Sequence, residues 1–159
     1  MPKGDAKMYS IRGQLSGAAL AHEKIQLAWY DENYLYKIRD FKVFSSLPTR
    51  AATVTGLLSK GKDNNLDPEI LDLEDESVIA WSEQIRRTPI PPGLNEEPTA
   101  SADAWIDEDS AFGYDLWVHT NSSTTAVDVN YYILIERIHV TGASRLVNNL
   151  EQYALNVRG

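Results

Sequence analysis

In Val127 to Val140 (VDVNYYILIERIHV), Val127, Val129, Tyr131, Ile133 and Ile135 place an apolar side chain at every second position, and Tyr132, Leu134 and Ile138 make much of the opposite face apolar too. Alternation with period two marks a β-strand, and apolar character on both faces predicts a strand buried on both sides. Such a strand needs neighbours to pair with and a layer to cover it, so the chain reads as a layered β domain rather than a helical one. Alternation also predicts a strand over Lys7 to Leu15, with Tyr9 and Ile11 against Ser10 and Arg12, and another through Ile25, Leu27 and Trp29. Asp31-Glu32-Asn33 supplies turn residues, which predicts a hairpin into the next run, YLYKIRDFKVF. There the apolar set Tyr34, Tyr36, Ile38 changes phase to Phe41, Val43. One extra residue in a strand has this effect, so a β-bulge is predicted near Asp40.

Further strands are predicted over Thr53 to Leu58, Ser77 to Ile85 (carrying Trp81) and Phe112 to His119. Between the last two, residues 88–110 hold Pro89, Pro91, Pro92, Gly93 and Pro98 among many acids, and read as a long acidic loop. The tail changes period: Leu146, Leu150, Tyr153 and Val157 follow helical spacing, and Ser144 or Thr141 can cap the start, predicting a short C-terminal α-helix over about 143–156. No fixed repeat and no linker divides the chain. The expected architecture is a single domain over 1–159, mainly β, an antiparallel β-sandwich of jelly-roll type.

Composition narrows the chemistry. The chain has 159 residues, enough for a core without staples, and no cysteine, which excludes disulfides and thiolate chemistry. The start, MPKGDAKMYSIRG, has no apolar run of a signal peptide and no stretch reaches the eighteen or more apolar residues of a membrane span, so a soluble protein without a membrane partner is expected. The net charge is −8, and fourteen of the 23 Asp and Glu fall in residues 61–110, against only Lys62, Arg86 and Arg87. With no basic block to neutralise phosphates, direct nucleic-acid binding is disfavoured, and the acidic belt reads as a solvated face.

No single catalytic constellation emerges. Asp63, Asn65, Asp67 and Glu74 occupy positions one, three, five and twelve of a calcium-loop pattern, but Pro68 stands at position six, where the sharp turn wants Gly. An acidic surface loop is the expected reading, and no metal or other cofactor is expected. His22, His119 and His139 are far apart in sequence and read as ordinary strand residues; Ser16, Ser59 and Ser144 read as turn or cap residues outside any G-x-S-x-G. Asp115 beside Trp117 would suit sugar chemistry only with a second carboxylate at the right separation. Of four tryptophans, Trp29, Trp81 and Trp117 lie in predicted strands, whereas Trp105 with Ile106 lies in the acidic loop with no evident strand to rest on. An isolated apolar pair of this kind can anchor a protein interface or a ligand, and the interface is the expected use. The N-terminal segment with Pro2 and Lys3 is read as a second interface element, exchanged between neighbouring subunits.

Over Met8 to Val140, about eight short strands, one long loop and the long apolar strand at the end resemble the small single jelly rolls of viral coat or virion-surface subunits. The resemblance implies a non-enzymatic structural subunit of the virion. It would self-assemble as a homo-oligomer through sheet edges, loops and termini, alongside other virion proteins. The alternatives are a ligand-binding β-sandwich module of carbohydrate type, with exposed Trp and Tyr as stacking platforms, and a hydrolase on the same scaffold.

Overall fold

The structure, a computed structural model, describes residues 7–17, 20–25, 27, 34–47, 50–60, 66–86, 100–113 and 115–140. The proposed C-terminal helix, Pro2, Lys3, Asp63, Asn65 and Trp29 lie outside these residues. The described strands are β1 (Lys7–Leu15), β2 (Ala21–Ile25), β3 (Tyr34–Ser45), β4 (Ala52–Lys60), β5 (Val78–Arg86), β6 (Ala100–Ile106), β7 (Leu116–Ser122) and β8 (Val129–His139). They form two antiparallel sheets, one in the order β1-β8-β3 and one in the order β2-β7-β4-β5-β6. The protein is a mainly β sandwich. Its pairings nest: β4 with β5, β2 with β7 and β1 with β8 are strands equally far from the β4–β5 connection. β3 and β6 do not join this nested set: β3 pairs with β8 and β6 with β5.

The core lies between the sheets. Val129, Tyr131, Ile133 and Ile135 of β8 meet Phe41 and Val43 of β3, Val54 and Leu58 of β4, Leu116 and Val118 of β7, and Ile25 of β2. The phase change in β3 is a bulge: Ile38 pairs with Ile135 and Asp40 with Leu134, which leaves Arg39 as the inserted residue, its guanidinium paired with Glu136. The insertion keeps Tyr36 and Ile38 on the same inner face as Phe41 and Val43, and all four are buried.

Three sequence expectations are corrected. β8 is buried on its inner face only; Tyr132, Leu134 and Ile138 are half-buried, because the second layer lies on one side of the three-stranded sheet. β2 and β3 do not form a hairpin: β2 ends at Ile25 and joins β7 in one sheet, while β3 joins β8 in the other. The interval 88–110 is not all loop, since it contains β6, paired with β5 from Ala80↔Ile106 to Arg86↔Ala100.

β3 runs along the margin of its sheet, yet its outward N–H groups are occupied. Val43 N–H donates to Ser82 Oγ (3.3 Å) and Ser45 N–H to Gln84 Oε1 (2.9 Å), both on β5 of the facing sheet. Tyr36 and Phe112 exchange two backbone hydrogen bonds, at 2.8 and 2.9 Å. On the other side of the sandwich, the Tyr131 hydroxyl donates to Glu23 Oε2 (3.3 Å), tying β8 to β2.

Burial first, and the Glu23 carboxylate second, push the Tyr131 hydroxyl up to about 12 from its ordinary 10.0. A raised folded pKa favours the protonated fold. Its contribution, at most about 2–3 kcal/mol, is complete below pH 10.0 and is lost as the pH rises toward about 12. Thermal melts across this window are expected to show an alkaline loss of stability in the wild type that is smaller in Tyr131→Phe. Identical pH profiles for the two would refute the assignment.

Candidate functional site

The outer face of the five-stranded sheet carries the most distinctive side chains of the described chain. Strand register lines up His22 (β2), His119 (β7), Leu57 (β4), Trp81 (β5) and Trp105 (β6) as one row across all five strands. The order follows from alternation: Ile25, Val118, Leu58 and Ala80 point into the core, so residues of the opposite parity point outward.

Residues 66–77 cross beside this row, and the Trp81 indole N–H donates to the Pro68 carbonyl at 2.8 Å. Three aspartates fold the segment on itself. Asp67 Oδ1 accepts from Glu69 N–H (2.9 Å), Asp72 Oδ1 from Glu74 N–H (3.0 Å), and Asp75 Oδ1 from the N–H and hydroxyl of Ser77 (2.9 and 2.7 Å). These are Asx turns, each replacing a backbone turn with a carboxylate. Asp67, read in sequence as a possible calcium ligand, therefore spends one oxygen on its own backbone. Among the described residues no three His, Asp or Glu are grouped to hold a metal ion. The turns hold Ile70 and Leu73 at 69% and 59% exposure, with Leu71 exposed between them. Sequence reading missed this apolar run; its signal was the alternation of Ile70, Leu71 and Leu73 with Glu69, Asp72 and Glu74 in a stretch with no strand to serve.

Trp105 and Ile106 do have a strand to rest on. Trp105 sits opposite Trp81 on the outer face, half-buried, and Ile106 points inward against the core. The sequence argument that the pair lacked an intrachain neighbour is corrected, and only Trp105 presents surface on the outer face.

His22 and His119, scattered in sequence, meet as cross-strand partners. Their rings are T-shaped at 4.8 Å between centroids, and Nδ1 faces Nδ1 at 2.5 Å. Ser59, read from sequence as a turn residue, lies within β4, and its Oγ contacts His119 Nε2 at 2.8 Å. The order Ser–His–His is reminiscent of a hydrolytic triad, but the physics differs: Ser59 and His119 are both 0% exposed. A nucleophile must reach its substrate, and the third group here is an imidazole with no negative charge to stabilise an imidazolium. His139 is elsewhere, edge-on to Tyr34. Asp115 is engaged by Lys24 Nζ at 2.9 Å.

The fold is an antiparallel β-sandwich, and in the outward row of its five-stranded sheet Leu57 and His119 are buried while His22, Trp81 and Trp105 are half-buried. No protein-family model and no curated protein matches the chain. Among solved structures it is similar to Merkel cell polyomavirus VP1, as an unassembled pentamer, with 6% identity over 89% of this chain and 98% of that one and a TM-score of 0.37. The VP1 of trichodysplasia spinulosa-associated polyomavirus, in complex with 3'-sialyllactose, matches at 6% identity over 84% and 94%, with a TM-score of 0.34. A Bacillus endospore appendage structure matches at 10% identity over 89% and 96%, with a TM-score of 0.24. At TM-scores below 0.5, function has to be argued from the chain's own residues. No helix among the described residues is long and apolar enough to cross a membrane.

Proposed function

We propose that this chain is a self-associating structural subunit, a viral coat or virion-surface building block on a jelly-roll plan. The nested pairing of the strands supports the jelly roll, with β6 extending the five-stranded sheet beside β5. Jelly rolls also serve lectins and cupins, so the plan alone does not choose a function.

The observation that carries the reading is the Asx-turned segment holding Ile70, Leu71 and Leu73 in solvent. A segment this well hydrogen-bonded is preorganised, and apolar side chains rimmed by Asp67, Glu69, Asp72 and Glu74 have the anatomy of an interface. A complementary surface lies on the outer face of the three-stranded sheet. There Arg12, Tyr132 and Lys42 form a cross-strand row, Lys42 also ion-paired with Asp40 at 3.2 Å, with Met8 and Phe44 exposed nearby. Acidic-apolar against basic-apolar on opposite sides of one subunit is a head-to-tail arrangement, which closes into rings or continues into larger assemblies. β6 adds an open edge: among the described residues it pairs only with β5. The N-terminal segment with Pro2 and Lys3 would add to the same contacts, as would the exposed part of Trp105.

Sedimentation of the wild type is expected to show a salt-sensitive oligomer. Ile70→Ser with Leu73→Ser, and separately Arg12→Glu with Lys42→Glu, shift it to smaller species while far-UV circular dichroism keeps its β signature. Each large apolar side chain lost from such an interface weakens it by about 1.5–3 kcal/mol. A wild type that stays monomeric at high concentration overturns the proposal. If its tryptophan fluorescence also saturated with oligosaccharides, the Trp81 and Trp105 row would instead mark a carbohydrate-binding face.

A further inference from the structure

We propose that His22 and His119 form a binding site for a borderline divalent transition-metal ion, of the Zn²⁺ or Ni²⁺ class, at the outer margin of the five-stranded sheet. Two imidazole Nδ1 atoms face each other at 2.5 Å, so one positive centre, the hydrogen of a single N–H or a metal ion, stands between them. Without a metal, the Nδ1–H of one ring donating to the other fills that role. Imidazole nitrogen is also a preferred ligand for Zn²⁺, Ni²⁺ and Cu²⁺, and the surroundings favour the exchange.

His119 is fully buried, and its Nε2 is held by Ser59 Oγ at 2.8 Å, so the ring is fixed with Nδ1 toward His22. With the Nε2 hydrogen donated to Ser59, the Nδ1 lone pair is directed at the neighbour. A hydrogen bond on the far nitrogen is the usual way a ligating histidine is oriented. His22 is half-buried on β2, which pairs only with β7 among the described residues, so it is the partner with room to move. Metal–nitrogen bonds of about 2.0–2.1 Å at a tetrahedral angle place two ligand nitrogens about 3.4 Å apart. His22 would swing outward by a little under 1 Å, toward solvent, and water would complete the coordination. The exchange balances: the metal takes the place of the Nδ1 hydrogen, which moves to Nε2 of the same neutral ring, so no net proton is released.

Calorimetric titration of the intact protein with ZnCl₂ and with NiCl₂ tests this. Expected is saturable binding, one metal per chain. Affinity should fall at least tenfold in both His22→Ala and His22→Asn, and about tenfold in Ser59→Ala through loss of orientation. His139→Ala, on another face, should bind as the wild type does. Far-UV circular dichroism establishes that the variants are folded, and the half-buried position of His22 makes its two substitutions the mild ones. Absence of saturable binding by the wild type overturns the site, and so does binding that survives both His22 substitutions. Neither outcome touches the assembly proposal, which is read by sedimentation.

Discussion

Phe41→Ala is expected to destabilise the fold by about 3–5 kcal/mol, enough to consume much of the stability of a domain this size. Phe41 is 0% exposed and follows directly on the bulge in β3. Its ring lies over Gly56 of β4: a Cβ on Gly56 would stand 2.9 Å from Phe41 Cζ and would also collide with the Val43 side chain. Gly56 therefore lines a recess that Val43 and Phe41 fill together, and the facing strand has no side chain there to move into the space that truncation leaves. The converse change, Gly56→Ala, overfills the same place and is expected to cost about 1–3 kcal/mol. Since the two positions share one volume, Gly56→Ala should cost less in the background of Phe41→Leu than in the wild type. Urea denaturation of the four proteins measures this. Additive losses would show that Phe41 and Gly56 do not share that volume.

Ser82→Ala combined with Gln84→Leu is expected to cost about 1–3 kcal/mol for each N–H left buried without an acceptor, through a different mechanism. Neither substitution empties the core, and Gln84→Leu keeps nearly the same volume. What each removes is the acceptor for a β3 backbone donor, Val43 N–H in one case and Ser45 N–H in the other. Val43 and Ser45 are buried, so water is a poor substitute. The double variant should also expose β3 as a pairing template and aggregate more readily on heating. Chemical denaturation gives the first effect and light scattering during a thermal ramp the second. A double variant as stable as the wild type would mean that the β3 N–H groups find other acceptors.

The parts of the fold legible in sequence are those where alternation fixes a face. β1, β4, β5 and β8 fall close to their apolar runs, and the phase change across Arg39-Asp40 is a bulge. β6 was illegible because Ala100-Ser101-Ala102-Asp103-Ala104 has no β-branched or large residue; its extended shape comes from pairing with β5 rather than from its own preference. The turn signal at Asp31-Glu32-Asn33 carries no information on which sheet the next strand joins, hence the mistaken hairpin. The His22–His119 contact depends on register between strands 97 positions apart, which no local pattern encodes. Exposure of Ile70 and Leu73 likewise follows from Asx turns, visible only once Asp67 and Asp72 are seen to bond their own backbone.

The three-stranded sheet has its last strand in the middle. β1 and β3 touch no other strand of that sheet except β8, so both ladders await a segment made some ninety residues after β3. During synthesis the five-stranded sheet can grow from the β4–β5 hairpin as soon as β7 emerges, whereas β1 has no strand to pair with until β8 is made and β3 has only its contacts with β5 of the facing sheet. The expected state on the ribosome is half-built, one sheet formed and the other still without its central strand. Its yield in a cell should depend on how long that state lasts and on what shields it.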